Sequence, residues 1–308
     1  MEHKHILFWT TYTDNDKSLR DWIEKPIKLS PFHTLTLLSH TKIKNEVYLY
    51  TYHNIKESKV PKGITLMDAN DILPNHIAFK ALKKGHSIAH ISDAVRLKVA
   101  SALNGIVIDM DAVVLRKFPN VDSFYSSMPA KMTGGFAPKW GKSHPPLKVH
   151  DNSWDGKALC AFPLKVSNET SKHIESLSHK IMKNLLSEPN DWNYILWTIK
   201  KIIEIDTKGI VFPPIKCCPV PAWLRKDKCY SLESPTRLNG EVVLYGHKLP
   251  TIKSILEESY IVQHFFESAF SNSGMVSNDF WELIKTDCLL EKEVKKILGS
   301  DWRIEINK

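Results

Sequence analysis

The sequence HISDAVRLKVASALNGIVIDMDAVVLRKFP, which runs from His90 to Pro119, decides the fold class of this chain of 308 residues. Apolar residues recur at helical spacing along its first half and predict a helix packed against a sheet: Ile91, Val95, Val99, Ala102 and Leu103. Ser92 is the predicted N-cap, and Asn104-Gly105 supplies the left-handed turn that ends the helix. The apolar residues 106–108 then predict a central strand buried on both faces, as in a parallel sheet.

Two carboxylates follow this strand directly. Asp109 and Asp111 stand at its carboxyl end, where open α/β sheets bind their ligands. In extended chain, two residues span roughly 7 Å and point both carboxylates to one side. That spacing suits a divalent cation shared with a phosphate group, because hard cations prefer carboxylate oxygens and leave room for ligand oxygens. The same pair could instead cap a turn or accept hydrogen bonds from loop amides.

Strand and helix patterns alternate along the first hundred residues, which predicts parallel β/α architecture. The predicted strands are residues 6–10, 47–51 and 64–67, and the predicted helices are residues 18–27 and 77–84. Residues 35–38 fit either a helix or a strand. The charged residues beyond about 275 predict a small helical extension, with a strand as the alternative at 303–306. We therefore predict one domain, residues 1–274, with a C-terminal extension, residues 275–308, packed on it.

The composition is that of an ordinary globular protein, with 43% hydrophobic and 25% charged residues. No run of 18 apolar residues exists, and the first apolar run, residues 6–9, is too short for a signal peptide. Five cysteines without metal-ligand spacing favour reduced thiols, and hence a cytoplasmic location. The net charge of +8 fits an anionic partner. The basic residues are spread along the chain without a nucleic-acid-binding motif, so we predict no nucleic-acid partner.

The His90–Pro119 block resembles the DXD glycosyltransferases of the GT-A fold. The most similar group has a sugar-binding DXD region and includes α-1,4-galactosyltransferases, initiating mannosyltransferases, clostridial-toxin glucosyltransferases and capsular polysaccharide synthesis relatives. Its pattern is Ser-Asp, an Arg three residues after that Asp, a hydrophobic helix, a Gly-Gly turn and Asp-X-Asp. This chain has Ser92-Asp93, Arg96, Asn104-Gly105 and Asp109-Met110-Asp111 at the same spacing.

The resemblance implies a GT-A, Rossmann-like α/β domain with a mostly parallel sheet flanked by helices. It implies a metal-dependent, retaining glycosyltransferase that uses Mn²⁺ or Mg²⁺. The donor would be a UDP- or GDP-linked hexose or hexose derivative. The acceptor would be a glycan or glycolipid in the synthesis of capsule, lipopolysaccharide or another surface polysaccharide, with a protein acceptor as the second choice. The enzyme would work at the cytoplasmic face of a membrane, with peripheral association.

A second block, Ser259 to Phe270 (SYIVQHFFESAF), is similar to the family's C-terminal signature, which usually ends in Trp. The resemblance implies that His264 is the third protein ligand of the metal, a role in which neutral imidazole suits Mn²⁺ better than Mg²⁺. It implies that Asp111 binds the metal directly and that Asp109 reaches both the metal and the ribose. The alternative for His264 is a core histidine beside two phenylalanines.

The resemblance also assigns residues to the two substrates. Asp93 and Arg96 would hold the donor's sugar hydroxyls and phosphate, with a local ion pair near the helix start as the alternative. Trp9, after the first strand, would stack beside the nucleotide base, with a core position as the alternative. Asp191 stands where the family often has Thr-Gly-Pro. It is a candidate for acceptor binding and catalysis, or else a helix N-cap.

Two other functions compete with this one. Residues 106–114 (IVIDMDAVV) also resemble the motif of haloacid-dehalogenase-like phosphatases, in which the first Asp attacks phosphate. That family carries its motif on the first strand, whereas about a hundred residues precede it here, and its late acidic pair is missing. The other alternative is a non-catalytic carbohydrate- or nucleic-acid-binding relative.

Overall fold

The structure is a computed structural model. It describes residues 3–13, 15–43, 46–128, 158–174, 194–212, 214–217, 242–244, 247–249, 257–263 and 289–307. No helix within these ranges is long and apolar enough to cross a membrane.

A seven-stranded sheet lies at the centre of the fold. In spatial order its strands are β3 (Ile64–Asp68), β2 (Glu46–Thr51), β1 (Lys4–Phe8), β4 (Ile106–Val107), β7 (Ala158–Lys165), β6 (Phe124–Met128) and β8 (Ile210–Phe212). The first four are parallel, β7 is antiparallel to both of its neighbours, and β6 and β8 are parallel. The predicted α/β class, with a mostly parallel sheet flanked by helices, is confirmed. Strand β4, which follows Gly105, was predicted to lie in a parallel sheet. It is parallel to β1 but antiparallel to β7.

Helices cover both faces of the sheet, since side chains alternate along β1. The helices before β4 are α1 (Leu19–Ile23), α2 (Pro31–Lys42), α3 (Asn75–Lys83) and α4 (Ile88–Leu103). Ile6 and Phe8 are buried in one apolar cluster with residues of α1, α3 and α4. Leu7 is buried in another cluster with Leu37 of α2. Helix α2 therefore lies on the opposite face from the other three.

The ambiguous residues 35–38 lie inside α2. This helix begins after Ser30, whose Oγ accepts the backbone N–H of His33 at 3.3 Å, and Pro31 occupies its first turn. Leu35 and Leu37 belong to two different apolar clusters. Because nearly every side of α2 is buried, its sequence lacks the apolar stripe that identifies a surface helix.

Helix α4 begins earlier than predicted, so the assignment of Ser92 as its N-cap is wrong. The cap is Ser87, whose Oγ accepts the backbone N–H of His90 at 3.3 Å. The His90 ring accepts the Ser87 N–H in return, also at 3.3 Å. Histidine replaces the usual Glu or Gln of such a capping box, which is why the sequence pattern did not reveal it.

The turn from α4 to β4 has the predicted chemistry. Asn104 is left-handed, with φ of 44°. A Cβ on Gly105 would lie 2.9 Å from the Lys4 carbonyl oxygen and 2.6 Å from the Ile6 side chain, so only glycine allows this approach to β1. Ile108 continues the pairing beyond β4 by donating its N–H to the Ile6 carbonyl at 3.0 Å. The next residue is Asp109.

Beyond the Asp-Met-Asp turn the chain enters a separate small sheet. Strand β5 (Ala112–Val114) pairs antiparallel with β11 (Ile261–Gln263), and Gln263 lies opposite Ala112. The other described elements are a helix at 168–174, α5 (Tyr194–Ile205), α6 (Pro214–Cys217), the hairpin strands β9 (Val242–Leu244) and β10 (His247–Leu249), and the helices α7 (Leu289–Leu298) and α8 (Trp302–Asn307).

The C-terminal helices pack on α2. Val294 and Leu298 of α7 and Trp302 of α8 are buried in one apolar cluster with residues of α2 and Val113 of β5. The alternative of a strand at 303–306 is wrong, because these residues belong to α8. The predicted boundary between residues 274 and 275 lies outside the described residues and remains a prediction.

Candidate functional site

The carboxyl ends of β1 and β4 lie side by side at the point where the strand order reverses. From β1 the chain builds outward through β2 to β3, and then returns to place β4 on the other side of β1. Open α/β sheets form their ligand crevice at such a point. Trp9 follows β1 directly, and Asp109 and Asp111 follow β4. The sheet therefore brings the predicted donor and metal residues of both strands to one edge.

The Asp-Met-Asp segment is folded around a buried methionine. Met110 is only 6% exposed and belongs to the apolar cluster of Leu7 and Leu49, whereas Asp109 and Asp111 are both half-buried. Met110 and Asp111 lie in a turn, so the expectation that the segment is extended is wrong. The turn is needed because the chain leaves the central sheet here and enters β5.

Arg96 connects α4 to this turn. Its Nη2 donates to Asp93 Oδ1 at 2.8 Å, its Nη1 donates to Asp109 Oδ1, and its Nε donates to the Ser92 carbonyl at 3.4 Å. The guanidinium carbon lies 3.8 Å from the centre of the Phe162 ring. Arg96 is 4% exposed, so two carboxylates and an aromatic face take the place of water around its charge.

Carboxylates outnumber the cation in this network. Burial raises the pKa of Asp93 to about 7, the negative charge of Asp109 acts in the same direction, and Arg96 opposes both. Burial alone would lower the pKa of Arg96. The charges of Asp109, Asp93 and, to a smaller extent, Asp111 outweigh burial and hold that pKa above its ordinary value. The excess of negative charge is of the sign that a bound cation would neutralise.

A hydrogen bond and a ring contact orient the Trp9 side chain at the end of β1. Its indole Nε1 donates to the Lys28 carbonyl at 2.9 Å, and its ring centre lies 3.8 Å from that of His33, at an angle of 46°. The side chain is half-buried. Because the indole N–H already has an acceptor, a bound base would contact Trp9 through its ring. Its role in base stacking remains a prediction.

Asp109 and Asp111 fit a hard divalent cation, since both are half-buried carboxylates in a site with excess negative charge. The described part of the chain contains no group of three or more His, Cys, Asp or Glu residues that could hold a metal. Two of the predicted site residues, His264 and Asp191, lie outside the described residues. Gln263, which precedes His264 in the chain, pairs with Ala112, which follows Asp111.

Two buried histidines next to this turn were missed by the sequence interpretation. His5 Nδ1 lies 2.7 Å from His40 Nδ1, and His40 Nε2 lies 3.2 Å from the Ala112 carbonyl oxygen. Both side chains are fully buried. A histidine directly before the apolar residues of β1 was a usable signal, because a buried imidazole needs a partner. Nothing in the sequence of α2 identified His40 as that partner.

The buried histidines predict a stability that falls with acid. His53 is 3% exposed, and its Nε2 accepts the Thr11 backbone N–H at 2.9 Å. Burial, helped by the charge of Lys25, lowers its pKa to about 4, and burial lowers the pKa of His33 and of His40 to about 4 as well. Unfolded histidine binds a proton near pH 6.5, so the unfolded state gains protons first as the pH falls. The contribution of these histidines to the free energy of unfolding is therefore fully present above pH 6.5, and it is lost as the pH falls from 6.5 to 4.

His53→Gln tests this pH dependence. Between pH 7.5 and 4, we expect the variant to lose about 3 kcal/mol less unfolding free energy than the unsubstituted protein loses. The reason is that each such histidine contributes about 1.4 kcal/mol per pH unit between its unfolded and folded pKa values. The measurement is urea unfolding at four pH values, with His76→Gln at an exposed position as the control. Equal pH dependence in His53→Gln and the unsubstituted protein would contradict a buried, neutral His53.

Comparisons with known proteins give only a distant likeness. No family model matches the chain. No curated protein matches it either. Among solved structures, one similar chain is described as PaToxG Glycosyltransferase, at 13% sequence identity over 67% of this chain and 72% of that chain, with a TM-score of 0.36. A likeness at this score is too weak to assign a fold or an activity.

Proposed function

We propose that the protein is a metal-dependent, retaining glycosyltransferase that takes a hexose or hexose derivative from a UDP- or GDP-linked donor. The observation that carries this proposal is the buried Arg96, which joins Asp93 to Asp109 at the switch point of the sheet. An ion pair that served only the fold would not need a third carboxylate, the half-buried Asp111, whose charge also acts on Arg96. The motif residues that resemble the DXD family are thus neighbours in space as well as in sequence.

Asp109 and Asp111 would hold Mn²⁺ or Mg²⁺, with His264 as the third ligand. The antiparallel register of β11 and β5 supports His264, because its neighbour Gln263 lies opposite the residue that follows Asp111 and consecutive Cα atoms are about 3.8 Å apart. When bound, the ion supplies positive charge for the diphosphate that leaves as the glycosidic bond breaks.

Arg96 and Asp93 would act together on the donor. Arg96 fixes one oxygen of each of the two carboxylates, so its first effect is to orient Asp93 and Asp109. Asp93, with a pKa raised to about 7 by burial, can accept a hydrogen bond from a sugar hydroxyl when ionised and donate one when protonated. The guanidinium of Arg96 already bonds Asp93 and Asp109, so the proposed contact with a donor phosphate requires the phosphate to approach this ion-pair network. Trp9 would contact the base through its ring.

The acceptor side rests on the sequence resemblance. We propose a glycan or glycolipid of a surface polysaccharide such as capsule or lipopolysaccharide, with Asp191 contacting the acceptor. The net charge of +8 suits anionic donors and a peripheral position at the cytoplasmic face of a membrane. In the alternative phosphatase, Asp109 would be the nucleophile. This function fits less well, because one oxygen of Asp109 is bonded to the buried guanidinium of Arg96.

A donor panel tests the proposal. The purified full chain is incubated with UDP- and GDP-sugars, with Mn²⁺ or with EDTA, and released nucleotide is measured by chromatography. We expect slow, Mn²⁺-dependent release from one donor, because water can replace the acceptor. Calorimetry with each donor and Mn²⁺ follows if no release occurs. Absence of both release and binding would overturn the proposal, and turnover of an aryl phosphate would favour the phosphatase.

A further inference from the structure

Side chains of α2 act as the pairing partner for one edge of β5. His40 Nε2 lies 3.2 Å from the Ala112 carbonyl oxygen, and the Val114 N–H donates to Ser39 Oγ at 3.0 Å. The opposite edge of β5 pairs with β11, and the Leu115 N–H donates to the Tyr260 carbonyl at 2.8 Å. Strand β5 is thus held on both sides immediately after Asp111.

The hydrogen-bond network fixes which ring nitrogen of His40 carries a proton. A carbonyl oxygen only accepts, so His40 Nε2 must donate to Ala112. Burial lowers the pKa of His40 to about 4, so the ring is neutral and its Nδ1 accepts. His5 Nδ1, at 2.7 Å, must then donate to it. His5 therefore holds His40 in the tautomer that binds the Ala112 carbonyl.

We propose that His40 is a positioning residue of the metal site, which holds the Ala112 carbonyl and thereby fixes the backbone that carries Asp111. This inference rests on the proposed function. Asp111 is half-buried in the turn directly before β5, and its carboxylate can bind a cation well only if the backbone on both sides of it is held. Residues that orient metal ligands typically change metal affinity by 10- to 100-fold.

The test compares His40→Leu with His40→Gln. Leucine fills similar space without a donor, whereas the glutamine amide can donate to the Ala112 carbonyl from nearly the position of Nε2. Mn²⁺ binding is measured with the full chain by electron paramagnetic resonance, with UDP and separately with GDP. We expect His40→Leu to weaken Mn²⁺ binding about 10- to 100-fold and His40→Gln to stay within about threefold of the unsubstituted protein.

Ser39→Ala is the control for a purely structural effect. It removes the bond to Val114, three residues beyond Asp111, so we expect a lower unfolding midpoint with Mn²⁺ affinity changed less than about threefold. If His40→Leu does not fold, His40→Asn replaces it, because its shorter amide cannot reach the carbonyl.

Three results would overturn the inference. Equal Mn²⁺ affinity in all variants would overturn it and leave the proposed function intact. Equal weakening in His40→Leu and His40→Gln would show that the hydrogen bond is not the cause. An unsubstituted chain that binds no Mn²⁺ with either nucleotide would overturn the proposed function, and this inference with it.

Discussion

Replacing Arg96 with methionine is expected to lower the free energy of unfolding by about 3 to 5 kcal/mol at pH 7.5. The guanidinium is 4% exposed and is the cation bonded to both Asp93 and Asp109. Methionine has similar volume and can still pack on Phe162, so the loss comes from removing the positive charge that Arg96 supplies to the half-buried carboxylates of Asp93 and Asp109. Urea unfolding measures it.

The pH dependence of this loss identifies its origin. Without Arg96, the pKa of Asp93 rises further from its value of about 7, because burial and the charge of Asp109 remain. A raised carboxyl pKa contributes stability at low pH that is lost as the pH rises through it. The deficit of Arg96→Met should therefore be larger at pH 8 than at pH 5.5.

Two further variants separate charge from packing. Arg96→Lys keeps the charge but cannot bond both carboxylates in one plane, so we expect an intermediate loss. In the double variant Asp93→Asn with Arg96→Met, one of the two carboxylates is also removed, so part of the lost free energy of unfolding should return. A deficit below about 1 kcal/mol in Arg96→Met would mean that the network is solvated and contributes little.

Asp111→Asn is expected to reduce metal-dependent release of nucleotide from the donor by about 100-fold or more. The amide keeps the size of the side chain but removes a charged oxygen ligand, so the cation binds less well and stabilises the leaving diphosphate less. The readout is the initial rate of nucleotide release at several Mn²⁺ concentrations. Excess Mn²⁺ should restore part of the rate if affinity is the main defect.

The same substitution should leave the fold intact. Asp111 is half-buried and adds to the negative charge around Arg96, so its loss should change the free energy of unfolding by less than about 1 kcal/mol. Asp71→Asn, at an exposed position after β3, is the matched control and should keep full activity. Unchanged release in Asp111→Asn would remove the Asp-Met-Asp turn from the proposed site.

Among the helices, the sequence predicted those that carry an apolar stripe. Helix α4 was found from its apolar stripe, and the turn at Asn104-Gly105 from its left-handed chemistry. Helix α2 was ambiguous, because burial on nearly all sides removes the periodic signal. The cap of α4 was misplaced, because His90 replaces the Glu or Gln of the usual motif.

The site was predictable where its residues are close in sequence. Asp93 and Arg96 are one helical turn apart, so their contact followed from spacing. The bond from Arg96 to Asp109 depends on how α4 packs against β4, and the contact of His40 with Ala112 joins residues that are 72 apart. No local pattern encodes such contacts, because they arise only when the helices lie on the sheet.

The pairing of β5 with β11 has a consequence for the order of events during synthesis. The two strands are separated by about 150 residues, so β5 leaves the ribosome well before its partner. At 5 to 20 residues per second that interval is on the order of ten seconds. During it, one edge of the segment after Asp111 can be held by Ser39 and His40, which are already made. These two side chains therefore cover one edge of the nascent strand, whereas the opposite edge gains its partner only when Ile261–Gln263 has been made.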